Sequence, residues 1–118
     1  MSAFSISTET VDDAVAIVAV TGYLDFDAAP ALKHSLVDCI EAGTGHLVVD
    51  LAETGFIDST AIGVLVGALK RVEESGGSLV VVCANENVQS IFELVGLDEV
   101  ISLHRSRDDA ISAFARAA

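Results

Sequence analysis

Three short stretches constrain the fold more than anything else in the chain: A-V-A-I-V-A-V-T (14–21), H-L-V-V-D-L (46–51) and L-V-V-V-C (79–83). Each is apolar almost without a break. A strand with one wet face alternates apolar and polar residues, whereas a strand covered on both faces does not. These runs therefore predict a mostly parallel sheet buried beneath helices.

The segments between the runs carry a helical repeat. Leu32, Leu36, Cys39 and Ile40 recur at helical spacing, as do Ile62, Leu65, Val66 and Leu69. Asp27 can cap the first helix, and Pro30 falls in its first turn, where amides have no intrahelical partner. Gly43 ends that helix and Gly76-Gly77 end the second. Asn85 caps N-V-Q-S-I-F-E-L-V, which stops at Gly96. Ser106 with Asp109 resembles a capping box before D-D-A-I-S-A-F-A-R-A. Phe4–Thr8 reads as an edge strand, Gly22 closes the second strand, and Val100–Leu103 is a short last one. The predicted order is β-β-α-β-α-β-α-β-α. That is an α/β fold with a mixed, mostly parallel sheet, an antiparallel edge strand and about four helices, joined by right-handed crossovers. A length of 118 residues fits one domain over 1–118, with its core at about 4–115.

Charge narrows the function. Eighteen acids against six Lys+Arg give a formal net charge of −12. Nothing in that balance can neutralise phosphates, which argues against nucleic acid and against anionic membrane surfaces. Cys39, Cys83, His34, His46 and His104 are scattered without metal-ligand spacing, so neither metal nor cofactor is expected. Both cysteines read as buried thiols of a reduced, cytoplasmic protein. The N-terminus has no basic n-region, and the longest apolar run, Ala61–Leu69, is too short to span a bilayer.

Functional groups in open α/β sheets gather beyond the carboxyl ends of the strands. Three stretches are expected to meet on that rim: Gly22 to Asp25, Asp50 to Ser59, and Ala84 to Glu86. The most suggestive is G-F-I-D-S-T-A-I-G-V-L-V-G-A (55–68), where Asp58, Ser59 and Thr60 open a helix. One reading is a plain N-cap by Asp58 or Ser59. The other is a phosphorylatable serine, because free amides and the helix dipole favour a phosphate there. No G-x-S-x-G elbow or Walker loop is present, and His104 is the sole histidine able to reach the rim, which leaves little room for an enzyme. Asp50 resembles a receiver aspartate at a strand end, but the acidic pair Asp12-Asp13 precedes the first buried strand instead of following it, and Arg105 stands where a lysine is wanted. A solvated or hydrogen-bonded strand end fits it better. Gly63 and Gly67 weaken their helix by roughly 1 kcal/mol each, which implies close backbone approach to the core or to a docking partner.

V-V-D-L-A-E-T-G-F-I-D-S-T-A-I-G-V-L-V-G-A-L-K resembles the central motif of the anti-sigma factor antagonists, the STAS domain family. T-G-Y-L-D (21–25) resembles the family's G-x-L-D turn, and Gly76–Ile101 its strand, helix and G-L segment. The resemblance implies a monomeric, non-enzymatic switch. Its dephosphorylated form binds an anti-sigma factor that is also a serine protein kinase, and so frees a sigma factor. The kinase, with its own bound ATP, phosphorylates the serine after the aspartate, here Ser59, and a serine phosphatase reverses this. Asp25, Asp58, Thr60, Ala61 and Gly63 would join Ser59 in contacting the partner. Ala61 stands where the family usually has glycine, and its methyl would crowd a docked kinase. Some relatives are instead non-phosphorylated subunits of larger complexes.

Overall fold

The computed structural model describes residues 4–12 and 14–117, so one half of the Asp12-Asp13 pair lies outside the described residues. The apolar runs form the middle of a five-stranded sheet in the order β1-β2-β3-β4-β5. Its strands are β1 (Phe4–Asp12), β2 (Val15–Leu24), β3 (His46–Ile57), β4 (Ser78–Val82) and β5 (Ser102–His104). β1 pairs antiparallel with β2, and every other pairing is parallel. The helices are α1 (Ala29–Glu41), α2 (Ser59–Glu74), α3 (Glu86–Leu94) and α4 (Arg107–Ala117), with a 3₁₀ turn at Leu97–Glu99.

Strand order and chirality together decide where the helices go. From β2 to β5 the chain always steps in the same direction across the sheet. Right-handed crossovers then put α1, α2 and α3 on one face. Their core joins Val18, Val20, Leu47, Val49 and Val81 to Leu32, Leu36, Leu65, Val72 and Phe92. Past the last strand, α4 returns under the opposite face. There it meets Val15, Ile17, Val48, Val80 and Val82 through Ala110, Ile111 and Phe114. Both faces of the central strands are thus covered, which is why their sequences do not alternate.

Several local expectations need correcting. Asp27 does not cap α1. The N-cap position is Ala28, which has no side-chain cap; Asp25 Oδ1 instead holds the turn before the helix, accepting the amides of Asp27 and Ala28 at 3.1 and 3.3 Å. Gly22 does not end β2; it sits within the strand at φ 102°, beside a register shift. The last strand is Ser102–His104 rather than Val100–Leu103, because the 3₁₀ turn takes up the preceding residues. The buried stripe of α2 is Ala61, Leu65, Ala68, Leu69 and Val72. Ile62 and Val66 only flank it, since the small alanines let the helix approach the sheet on their side. Asn85 and Ser106 cap as expected, accepting the amides of Val88 and Asp109 respectively. At the end of α2 the two glycines have different reasons. Gly76 adopts φ 81°, the left-handed region. A Cβ on Gly77 would lie 2.0 Å from the Gly45 carbonyl oxygen, an impossible contact.

The largest departure is β3. Its expected end at Leu51 is only its midpoint. Pairing with β4 stops at Asp50↔Val82, while β3 runs on beside β2 to Leu24↔Ile57. Two register shifts, each with an extra residue on β3, interrupt that extension. Such bulges bend a strand and leave groups unpaired. The buried Thr54 hydroxyl repairs one gap by donating to the Val20 carbonyl at 2.9 Å.

Candidate functional site

The extension of β2 and β3 beyond β4 builds a ledge, and α2 starts from it. The Asp58 amide donates to the Leu24 carbonyl at 3.2 Å, tying the end of β3 to the residue before Asp25. Asp58 has extended backbone geometry and is the N-cap of α2, its Oδ1 accepting the Ala61 amide at 3.0 Å. The first helical bond runs from the Ile62 amide to the Asp58 carbonyl. Ser59 is therefore the first helical residue, not the cap, and its side chain is exposed. The amides of Ser59 and Thr60 find no acceptor among the described residues. Two free N–H groups at the positive end of a sixteen-residue helix are a ready place for an anion.

Asp25, half-buried, stands on the neighbouring turn, and Thr60 is exposed beside Ser59. Ala61 is fully buried. Its methyl packs into the core rather than standing at the surface, and its amide belongs to the cap. Glycine and alanine are equivalent at the surface here. Gly63 is exposed, and a Cβ added to it or to Gly67 would meet nothing within 4 Å. Neither glycine is required for packing among the described residues. Of the two readings their cost allowed, approach to the core is ruled out.

The expected three-stretch rim is only partly assembled. β4 ends opposite Asp50, so Ala84-Asn85-Glu86 opens α3 lower on the sheet than the ledge bearing Ser59. Asp50 is no strand end: it lies mid-strand, 7% exposed, and faces α4. Arg107 donates to its Oδ2, and the Ala52 amide to its Oδ1. The carboxylate in turn raises the pKa of the Arg107 guanidinium, through that hydrogen bond first. This is a structural tie of α4 to the sheet. His104 pairs with Val82, level with Asp50, which keeps it off the Ser59 ledge. Cys39 and Cys83 are free and buried, and burial pushes both thiols above their usual pKa. Among the described residues, no group of three His, Cys, Asp or Glu could hold a metal, and no helix is long and apolar enough to cross a membrane.

The sequence reading missed three aromatics on this ledge. Tyr23, Phe26 and Phe56 are 55%, 66% and 44% exposed. The rings of Tyr23 and Phe56 lie 5.8 Å apart, tilted at 55°. With five Phe, one Tyr and no Trp, the chain has six aromatics, and half of them face solvent next to Asp25 and Asp58. Each falls where the sequence signalled a turn, so none was weighed as a surface. The signal available was their isolation from any apolar stripe.

This geometry has close counterparts. The STAS domain family matches residues 5–110. The anti-sigma-B factor antagonist of Bacillus subtilis is 32% identical over 94 residues, covering 80% of this chain and 85% of that protein. The anti-sigma-B factor antagonist of Staphylococcus epidermidis is 31% identical over 104 residues, covering 88% and 95%. The crystal structure of an anti-sigma factor antagonist from Mycobacterium paratuberculosis superimposes with a TM-score of 0.87 at 26% identity, covering 94% of this chain and 93% of that one. With the family matching nearly the whole sheet and its helices, the chain belongs to the STAS domain family.

Proposed function

We propose that this chain is an anti-sigma factor antagonist switched by phosphorylation of Ser59. The unmodified form binds an anti-sigma factor that is also a serine kinase, and phosphorylation releases it. The observation that carries the reading is the exposed Ser59 hydroxyl at the start of α2, beside two unpartnered amides and the Asp58 cap. The names of the B. subtilis and S. epidermidis relatives support the partner class. In the reaction, Ser59 Oγ takes the γ-phosphoryl group of ATP held by the partner, releasing ADP and a proton. A serine phosphatase hydrolyses the product. The domain itself is a binding module and works in the cytoplasm.

The switch follows from charge and desolvation. A phosphate at Ser59 adds about −1.5 to −2 charge. Within the domain that charge is tolerated, because the Ser59 and Thr60 amides and the helix dipole face it. Across an interface it is not: a partner packed against Tyr23, Phe26 and Phe56 would bury the phosphate next to Asp25 and Asp58. Exposed aromatics with polar rims are typical binding hot spots. They would supply affinity, and the acids would select a basic partner surface.

The test pairs the chain with the anti-sigma kinase of its own host. Ser59→Asp should fold like the parent by circular dichroism and lose binding by at least tenfold. Ser59→Ala should bind and take up no label from γ-labelled ATP. Intact mass of the unaltered chain should rise by about 80 Da with kinase and ATP, one phosphoryl group. Undiminished binding by Ser59→Asp, or absence of the mass shift in protein from its host, would favour a non-phosphorylated subunit of a larger complex.

A further inference from the structure

An open groove of about 560 Å³ runs between α1 and α2, starting at Thr60 and ending at Lys70 and Arg71. Its floor is apolar, formed by Leu36, Val37, Val64 and Ala68, with Gly63 and Gly67 along one wall. Those glycines are one turn apart and lack neighbours. They lower helix propensity by about 1 kcal/mol each relative to alanine, with no return inside the domain. What a missing side chain does offer is close approach by another backbone.

The charges around the groove supply a second, independent observation. The chain has six Lys+Arg and a net charge of −12. Three of the six, Lys33, Lys70 and Arg71, edge this groove. Lys33 and Lys70 form no ion pair among the described residues. Arg71 reaches only Glu41, at 3.9 Å with both side chains exposed, a contact of little strength. Half of the positive charge of an acidic protein thus borders one apolar slot. Lys33 lies early in α1, and Lys70 and Arg71 lie late in α2. The two helices cross the sheet in the same sense, so cations stand towards both ends of the groove.

We propose that this groove docks an acidic amphipathic helix of a protein partner. Its apolar face would lie on Leu36, Val37 and Val64, its backbone would pass over Gly63 and Gly67, and its Asp or Glu side chains would meet Lys33, Lys70 and Arg71. A groove between two helices takes a third in this way, through anchors at i, i+3/i+4 and i+7. From Thr60 to Arg71, eleven helical steps span roughly 16 Å, room for about three turns. The surface differs from the aromatic ledge in site and in sign: the ledge is acidic and the groove basic. Docking here does not depend on phosphorylation of Ser59.

Three synthetic eighteen-residue helical peptides with one shared leucine face test this, their flanking positions bearing Glu, Gln or Lys. Each is titrated to 1 mM into the ¹⁵N-labelled chain, and amide shifts are followed. The Glu peptide should shift Lys33, Val37, Gly63, Gly67 and Lys70, and bind at least tenfold tighter than the Lys peptide. Raising salt from 50 to 300 mM should weaken it several-fold, because these charges are exposed. Gly67→Gln fills the slot at an exposed helical position; it should fold with an unchanged or higher Tm and lose the Glu peptide by at least tenfold. Lys33→Gln with Lys70→Gln should remove the preference for Glu over Gln. Ser59→Asp should bind the Glu peptide as the parent does, whatever becomes of the kinase interaction. Equal binding of the Lys peptide, shifts confined to Tyr23, Phe26 and Phe56, or no shift at 1 mM would overturn the proposal. So would groove shifts that appear on concentrating the chain alone, which would assign the groove to a second copy.

Discussion

The two faces of the sheet are held in different ways. Beneath α1, α2 and α3 lies a continuous core in which Leu32, Leu36, Leu65, Val72 and Phe92 are fully buried. Beneath α4 the patch is smaller: Ala110 is buried, while Ile111 and Phe114 are only partly so. Directional contacts make up part of the difference. Arg107 donates to Asp50 and also approaches Glu9 at 3.8 Å. His46 stacks on Phe114 at 4.7 Å while its Nδ1 pairs with the Ser78 hydroxyl at 2.8 Å. The thick face carries the helix that presents Ser59, and the thin face is a lid fastened by a few polar groups. The contrast teaches that the exposed Ser59 is presented from the more deeply packed side of the sheet.

The contrast can be broken most strongly on the thick side. Leu65→Ala should cost about 2–5 kcal/mol, because a fully buried leucine leaves a cavity as well as lost transfer energy. The check is the denaturant midpoint at unchanged slope; a loss under about 1 kcal/mol would mean the core relaxes around the gap. On the thin side, Arg107→Ala should cost about 1–2 kcal/mol. It leaves the Asp50 carboxylate with the Ala52 amide but without its charged partner. The figure stays below that of a fully buried pair because Arg107 is 41% exposed. Hydrogen exchange should then quicken in α4 and not in α1 or α2.

Smaller effects sharpen the picture at the ledge. Asp58→Ala should cost about 1 kcal/mol through loss of the cap, and Asp58→Asn about 0.5 kcal/mol or less, both read from thermal melts. Native Cys39 and Cys83 should alkylate far more slowly than in denaturant, since burial protects them and keeps them protonated. Their folded pKa values lie above the unfolded ones. Below the ordinary thiol range they therefore leave stability unchanged. As pH rises past it, the unfolded state loses protons first and stability falls.

Much of this was legible in the chain. Unbroken Val/Ile/Leu runs report double burial, and α2, α3 and α4 carry stops or caps within a few residues, as Gly76, Asn85 and Ser106 do. These signals are local, so they survive in one dimension. The second half of β3 was not legible. A-E-T-G-F-I has glycine and polar residues because it pairs with one neighbour only and is interrupted by bulges, which relaxes the strand pattern. The methyl of Ala61 was read as an obstacle at the surface because sequence spacing alone does not say which side of a helix turn meets the core.

By itself, the sequence determined the element order, the largely parallel pairing, the helix that begins at Ser59 and an acidic balance that argues against polyanions. Only the tertiary structure decided which aspartate serves which purpose. Asp50, Asp58 and Asp25 are alike in one dimension. Long-range register turns the first toward Arg107, sets the second at the head of α2 with its amide on the Leu24 carbonyl, and leaves the third on the neighbouring turn. It also decided that Tyr23, Phe26 and Phe56 stay in water and that Gly63 and Gly67 border an empty slot. The physical reason is common to all of these. Burial and charge pairing depend on neighbours tens of residues away, and strand order with crossover handedness, not local propensity, chooses those neighbours.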